Sequence, residues 1–295
     1  MKKRHLQRAL ANITVTSGKD FHLRDHDPAA VPPGLTAETA EARLADGVAR
    51  LSKLQERLYA QGTWSVLCVF QAIDAAGKDG TIKHVMSGVN PQGVQVHSFK
   101  APGADELAHD FLWRVWRELP PRGHIGIFNR SHYEEVLVTR LHPEILQAQR
   151  IPPSLLGKKL WRHRMEDIAG FEQYLGRQGC LVLKFFLHIS KDEQKRRFLE
   201  RMNTPDKTWK IAPSDLAERG RWADYMAAYE EAVRATATPE APWFIVPANH
   251  KWAARLLVVE AMVQAMEALD LQAPEPSKQD QAWIAEARRK LEQED

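Results

Sequence analysis

Trp64-Ser-Val-Leu-Cys-Val-Phe-Gln-Ala-Ile-Asp-Ala-Ala-Gly-Lys-Asp-Gly80 is the stretch whose reading decides the fold. Val66 to Phe70 is an unbroken apolar run, the pattern of a strand buried on both faces. Small residues follow, then Gly77-Lys78-Asp79-Gly80, and a helical pattern opens at once. A strand that breaks through such a loop into a helix aims backbone N–H groups at one point. Phosphate is held there, and a lysine adds charge. The strict phosphate-loop pattern has glycine where Ala72 stands and Ser or Thr where Asp79 stands. An ordinary strand-to-helix turn with a solvated lysine has the same residues, so the neighbouring loops must decide.

Outward from this stretch, apolar runs predict four more strands, at Val94–Phe99, His124–Phe128, Cys180–Ile189 and Trp243–Val246. Thr36 reads as the N-cap of a helix to about Gln61, with Leu44, Val48, Leu51, Leu54 and Leu58 on one face. Further helices are predicted over Thr81–Ser87, Asp105–Leu119, Glu134–Arg140, Ser154–Leu175, Asp192–Met202, Asp215–Ala235 and Trp252–Ala268. Strands alternating with helices imply an α/β fold with a mostly parallel sheet and right-handed crossovers. Residues 1–35 lack periodicity and carry Pro28, Pro32, Pro33 and Gly34, which reads as an extended arm. One domain is expected over 36–272, with a lid at about 191–222 and a charged tail over 273–295, helical from Gln281.

A net charge of +3 over 295 residues does not call for nucleic acid, so the placement of charge matters more than its sum. Cys68 and Cys180 both fall inside strand-like runs and share no metal-ligand spacing, which points to reduced thiols in a cytosol. No apolar run reaches membrane-spanning length, and no apolar segment follows the basic N-terminal residues. A cytoplasmic location without membrane contact is the expectation.

Ligands of such a sheet bind beyond the carboxyl ends of the strands. After Phe70 stand Asp74, Lys78 and Asp79. Asp74 suits a hard cation such as Mg²⁺, with Mn²⁺ as a substitute. Asp79 either joins it or stabilises the start of the following helix. After Phe99 stands Lys100, and after Phe128 stand Asn129 and Arg130, whose guanidinium can fork onto phosphate. Asn129 is neutral and weak as a metal ligand. After Ile189 a basic helix and its sequel carry Lys191, Lys195, Arg196, Arg197, Arg201, Lys207 and Lys210, with Trp209 embedded. Phosphoryl transfer needs cations around the migrating group and exclusion of water, and a basic lid supplies both. The histidines His84, His124, His132, His163 and His188 share no metal-ligand spacing.

Gln71-Ala-Ile-Asp-Ala-Ala-Gly-Lys-Asp-Gly-Thr-Ile-Lys-His-Val-Met-Ser-Gly-Val-Asn-Pro-Gln-Gly93 resembles the phosphate loop of the polyphosphate kinase 2 family. His109-Asp-Phe-Leu-Trp-Arg114, Phe128-Asn-Arg-Ser-His-Tyr-Glu-Glu-Val136, Glu193-Gln-Lys-Arg-Arg-Phe198 and Asp206-Lys-Thr-Trp-Lys210 resemble further blocks, in order along the chain. The resemblance implies a thymidylate-kinase-like P-loop fold, a three-layer sandwich around a five-stranded parallel sheet in the order 2-3-1-4-5. It implies metal-dependent transfer of the terminal phosphate of polyphosphate to AMP or ADP, and a homo-oligomer, dimer or tetramer. Asp74, Lys78, Asn129 and Arg130 are then the catalytic candidates, with Asp74 on the metal. Gly77, Asp79, Gly80, Lys83, Lys100, Lys191, Arg196, Arg197, Arg201 and Lys210 are the phosphate-binding candidates. Glu134, Glu135, Asp206 and Trp209 are assigned to the nucleotide and the lid. Many members have Asp-Arg-Ser where this chain has Asn129-Arg130-Ser131, and the Asn form resembles the subgroup called class III, which takes both AMP and ADP. An ATP-dependent nucleotide or nucleoside kinase and a non-catalytic polyanion or nucleic-acid binder are the alternatives. Acids clustered at the same edge as the cations count against the binder.

Overall fold

Six strands form one sheet in the computed structural model, which describes residues 3–294. They are β1 (Thr14–Val15), β2 (Ser65–Ala72), β3 (Val94–Ser98), β4 (Ile125–Asn129), β5 (Cys180–His188) and β6 (Trp243–Pro247), ordered β1-β6-β5-β2-β4-β3. β2 to β6 are the five predicted strands. All their pairings are parallel, and among themselves they follow the order 2-3-1-4-5. The sheet is nevertheless mixed and six-stranded, because β1 adds antiparallel to β6 at Thr14↔Phe244 and Val15↔Trp243.

β2 is central, with Cys68 opposite Ile127 on one side and Leu183 on the other. Its alternation feeds two cores. Val66, Cys68 and Phe70 pack with Leu51, Leu58, Val85 and Leu257, while Leu67 and Val69 pack with Phe128, Ile168 and Phe171. Full burial of each large apolar side chain contributes about 1.5–3 kcal/mol, which explains why a strand buried on both faces is apolar throughout. Both cysteines are buried and unpaired, and burial pushes the Cys180 thiol up to about 11.

The described part of residues 1–35 is not simply an extended arm. Within them α1 (Lys3–Ile13) is helical and buries Leu6, Leu10 and Ile13, three positions on one helix face. Residues 1, 2 and 295, parts of the expected arm and tail, lie outside the described residues. Next, α2 (Ala37–Gln61) starts at the predicted cap, where the Thr36 hydroxyl accepts from Thr39 N–H, and ends at Gly62 with φ +63°. Helix α3 (Lys78–Val85) follows the β2 loop. The single helix predicted over Asp105–Leu119 is two short pieces, α4 (Ala104–Leu107) and α5 (Trp113–Trp116). The Asp110 carboxylate accepts from Leu112 N–H at 2.9 Å, a local bond that competes with a continuous helix.

After β4 a 3₁₀ turn, His132–Glu135, precedes α6 (Val138–Leu141) and α7 (Pro143–Ala148), replacing the helix predicted from Glu134. Here Ser131 caps the turn by accepting from Tyr133 N–H at 3.1 Å. The long helix α8 (Leu160–Arg177) starts six residues later than predicted. Then come α9 (Lys191–Met202), a 3₁₀ turn at Pro205–Lys210, α10 (Pro213–Gly220) and α11 (Trp222–Thr236). The last two are α12 (Lys251–Glu267), buried almost all round, and α13 (Lys278–Leu291). Helices α2, α3 and α12 contribute to the first core, α8 and α11 to the second, so the sheet is covered on both faces. Among the described residues no helix is long and apolar enough to cross a membrane.

Candidate active site

The chain leaves β2 through a loop with two left-handed residues, Ala75 at φ +63° and Gly77 at φ +95°. Glycine takes this conformation freely and alanine does not. The Ala75 carbonyl is fixed from beneath by Arg197 of α9, which is almost fully buried. Arg197 donates Nη1 to the carbonyls of Ala75 (3.1 Å) and Ala76 (2.7 Å), and Nη2 to those of Ala248 (2.5 Å) and Asn249 (3.1 Å). Its Nε donates to Glu193 at 2.6 Å. A guanidinium has five N–H donors, and all five are engaged. Arg197 therefore shapes the phosphate loop and has no donor left for a phosphate, which corrects the expected contact. Gln194, one residue before Lys195 on the same helix, donates to the Asp74 carbonyl at 3.0 Å.

Above the loop lies a cavity of about 540 Å³. Asp74, Gly77, Lys78, Asp79, Gly80, Lys100, Asn129, Arg130, Arg201, Trp209 and Lys210 all line it, so one space gathers the expected residues of four strand-end segments. Lys83, Lys191 and Arg196 do not line it. Lys83 is exposed on α3, Lys191 is exposed at the start of α9, and Arg196 is held by Glu193 at 2.7 Å and Glu200 at 3.4 Å. Asp206 is also outside; its carbonyl accepts from the Trp209 indole at 3.0 Å. Trp209 itself is 76% exposed, with the Lys210 ammonium 5.0 Å from its ring centre.

Beyond Arg130 opens a second cavity of about 310 Å³, bounded by Ile73, Leu137, Val138, Gln194, Trp222, Tyr225 and Tyr229 with Asp215, Glu218 and Arg219 at its rim. A smaller recess of about 150 Å³, with Phe99, Phe111 and Arg114, adjoins it around Arg130, Glu134 and Val138. Asp74 and Arg130 belong to both large cavities and stand where they meet.

Arg130 reaches Asp74 at 3.8 Å and Glu134 at 3.9 Å, distances that leave its donors free to turn to a phosphate. Burial pushes the Asp74 carboxyl up, with Asp215 and Glu218 adding to it and Arg130 and Lys78 opposing. Burial likewise raises Glu134 against the pull of Arg130 and Lys78. The Lys78 ammonium is pushed down by burial and by Arg130, and Glu134 opposes this. Lys78 and Glu134 are partly withdrawn from water, whereas the Arg130 and Asp74 side chains are 46% and 37% exposed and so open to a bound anion.

The two glutamates behind Arg130 separate. Glu134 faces Arg130 and accepts from the Gln71 amide at 2.9 Å, while the Gln71 oxygen accepts from Ser131. Glu135 is turned to Arg164 of α8 at 3.0 Å and to Gln149 at 2.6 Å, which makes it an internal tie. Asn129 donates to Asp79 at 2.9 Å, and Asp79 sits in the first turn of α3, the helix-start role. Sequence reading missed Gln71, Gln194, Glu218, Arg219, Trp222, Tyr225 and Tyr229. A signal existed for some: Glu218, Trp222, Tyr225 and Tyr229 recur at spacings of four, three and four.

Among the described residues no group of three or more His, Cys, Asp or Glu is placed to hold a metal ion. An accessible carboxylate, Asp74, where the two cavities meet fits a Mg²⁺-like ion, which keeps water and takes most remaining ligands from substrate. It does not fit a closed structural metal.

Comparison with known proteins agrees with the geometry. The family described as Polyphosphate kinase 2 (PPK2) matches residues 34–274. The chain is 51% identical over 245 residues to an ADP-polyphosphate phosphotransferase of Rhodopseudomonas palustris, covering 83% of this chain and 85% of that protein. It is 47% identical over 237 residues to an AMP/ADP-polyphosphate phosphotransferase of Meiothermus ruber, covering 80% and 85%. The crystal structure of polyphosphate kinase 2 from Arthrobacter aurescens superposes with a TM-score of 0.83 at 40% identity, over 92% of this chain and 95% of that one.

Proposed function

The chain belongs to the polyphosphate kinase 2 family, and from that premise we propose that it transfers the terminal phosphate of inorganic polyphosphate to AMP and ADP, giving ADP and ATP. The observation that carries the reading is the pair of cavities sharing Asp74 and Arg130. The larger, with Lys78, Lys100, Arg201 and Lys210, suits a chain of phosphates. The other is lined by Trp222, Tyr225 and Tyr229, aromatic side chains that suit a nucleoside, in a volume at the small end of ligand sites. Donor and acceptor phosphates then meet at Arg130.

An oxygen of the nucleotide's last phosphate attacks the terminal phosphorus of polyphosphate in line. The new P–O bond forms as the bridging P–O bond breaks, and the shortened chain leaves with the bonding pair. No covalent enzyme intermediate is needed, so the protein's work is positioning and charge stabilisation. Lys78 and Arg130 direct donors at the transferring group, and Glu134 sets the direction of Arg130. Asp74 would hold a divalent cation, Mg²⁺ or in its place Mn²⁺, which when bound neutralises phosphate charge. Trp209 and Lys210 border the polyphosphate side.

The test is direct. The protein is incubated with divalent cation, polyphosphate and either AMP or ADP, and the nucleotides are resolved. ADP or ATP formation at the expense of polyphosphate is expected. Transfer from ATP alone would identify an ATP-dependent nucleotide kinase, and binding without transfer a polyanion-binding protein.

A further inference from the structure

Lys184 lies in the middle of β5 with no solvent exposure, in a strand otherwise apolar around it. Its ammonium donates to Glu172 of α8 and, at 2.7 Å, to the Thr236 carbonyl at the end of α11. The other Glu172 oxygen accepts from the Tyr133 hydroxyl at 2.8 Å and faces His132 Nε2 at 3.3 Å. The Tyr133 hydroxyl also lies 2.9 Å from Thr236 Oγ1, which accepts from the Trp243 indole at 2.9 Å. A charge pair at this depth gains little over apolar residues of the same volume, so stability alone does not account for it.

What the pair grips is the segment directly after Arg130. Arg130 has φ +64°, a left-handed conformation that a non-glycine residue keeps only when its surroundings over-determine it. The surroundings do so here. Ser131 is tied to Gln71 of β2, Glu135 to Arg164 of α8, and His132 and Tyr133 to Glu172. Removing the last anchor takes from the two residues that separate Ser131 from Glu134 their hydrogen bonds to α8.

We propose that Glu172 and Lys184 are positioning residues for phosphoryl transfer: through Tyr133 and His132 they fix the Arg130–Glu135 segment and so aim Arg130 and Glu134 at the junction of the two cavities. Neither touches substrate. The proposal rests on the phosphotransferase reading above, and the experiment separates the two. Tyr133→Phe keeps the ring and removes the shorter of the two ties, leaving His132 on Glu172. Its kcat should fall about tenfold or more, the size of effect a small misplacement of reacting groups produces, with the polyphosphate KM within about twofold of wild type. Lys184→Met combined with Glu172→Leu removes both charges, and should keep or raise Tm while kcat stays about tenfold down. Recovered stability without recovered turnover is what a merely structural pair does not produce. Wild-type kcat in either variant overturns the proposal, as does a loss of kcat that tracks Tm and vanishes at a lower assay temperature. If the double variant fails to fold, Tyr133→Phe decides. Failure of the unsubstituted protein to phosphorylate AMP or ADP from polyphosphate overturns the functional reading and the proposal with it.

Discussion

Partial burial of Lys78 and of Glu134 shifts the two groups in directions that can each be tested. Lys78→Ala removes a poorly solvated cation from the phosphate loop. Nucleotide phosphorylation from polyphosphate should fall about 10²–10³-fold, the usual cost of one preorganised charge-stabilising donor. Tm should hardly change, because desolvation of the ammonium is relieved as its contacts are lost; retained turnover would remove Lys78 from the chemistry. Glu134→Gln tests the opposite sign. Burial raises the folded Glu134 carboxyl above its unfolded value. Between the two values the folded chain binds the proton more tightly, so stability declines as pH rises through that window and stays lower above it. The Gln variant should therefore be more stable than wild type at neutral pH, converge with it in acid, and turn over more slowly. Calorimetric Tm against pH, with kcat beside it, checks both halves.

Arg196 and Arg197 show at the scale of the element what spacing conveys and what it omits. The basic helix after Ile189 was legible in the sequence, and so were the five parallel strands, the Thr36 cap and the phosphate loop, because each repeats a short-range pattern. Which face of α9 meets the loop was not legible: two adjacent arginines point about 100° apart on a helix, and only tertiary packing chooses between them. Arg197 went beneath the loop and Arg196 to solvent. The N-terminal helix was hidden by its basic residues and β1 by its length of two residues, too short for any alternation. Glu135 was indistinguishable from Glu134 until α8 supplied Arg164. The structural role of Arg197 has a measurable signature. Arg197→Met strips donors from four carbonyls and should destabilise the protein by about 2–4 kcal/mol while lowering kcat. The dependence of polyphosphate KM on salt should stay unchanged, because no phosphate contact is lost. Arg201→Ala should flatten that dependence with little change in Tm.

At the scale of the whole molecule a net charge of +3 conceals a strong local asymmetry. Lys78, Lys100, Arg130, Arg201 and Lys210 outnumber Asp74 and Asp79 around one cavity, while Asp74, Glu134, Asp215 and Glu218 outnumber Arg130 and Arg219 around the other. A flexible polyanion gains from the first arrangement by releasing counterions, and this gain shrinks steeply with added salt. A mononucleotide held by aromatic side chains and one or two phosphate contacts has far less to lose. Raising monovalent salt from about 50 to 200 mM should therefore increase the polyphosphate KM by roughly tenfold or more, and the AMP or ADP KM by only about twofold. The combined variant Lys100→Ala and Lys210→Ala should lower the first slope and leave the second alone. Equal slopes for the two substrates would mean that both bind in the basic cavity, and the division of labour across Arg130 would be wrong. Unequal slopes would locate donor and acceptor on opposite sides of that residue without a bound structure, because the excess of cations that attracts a polyanion lies around one cavity and not the other.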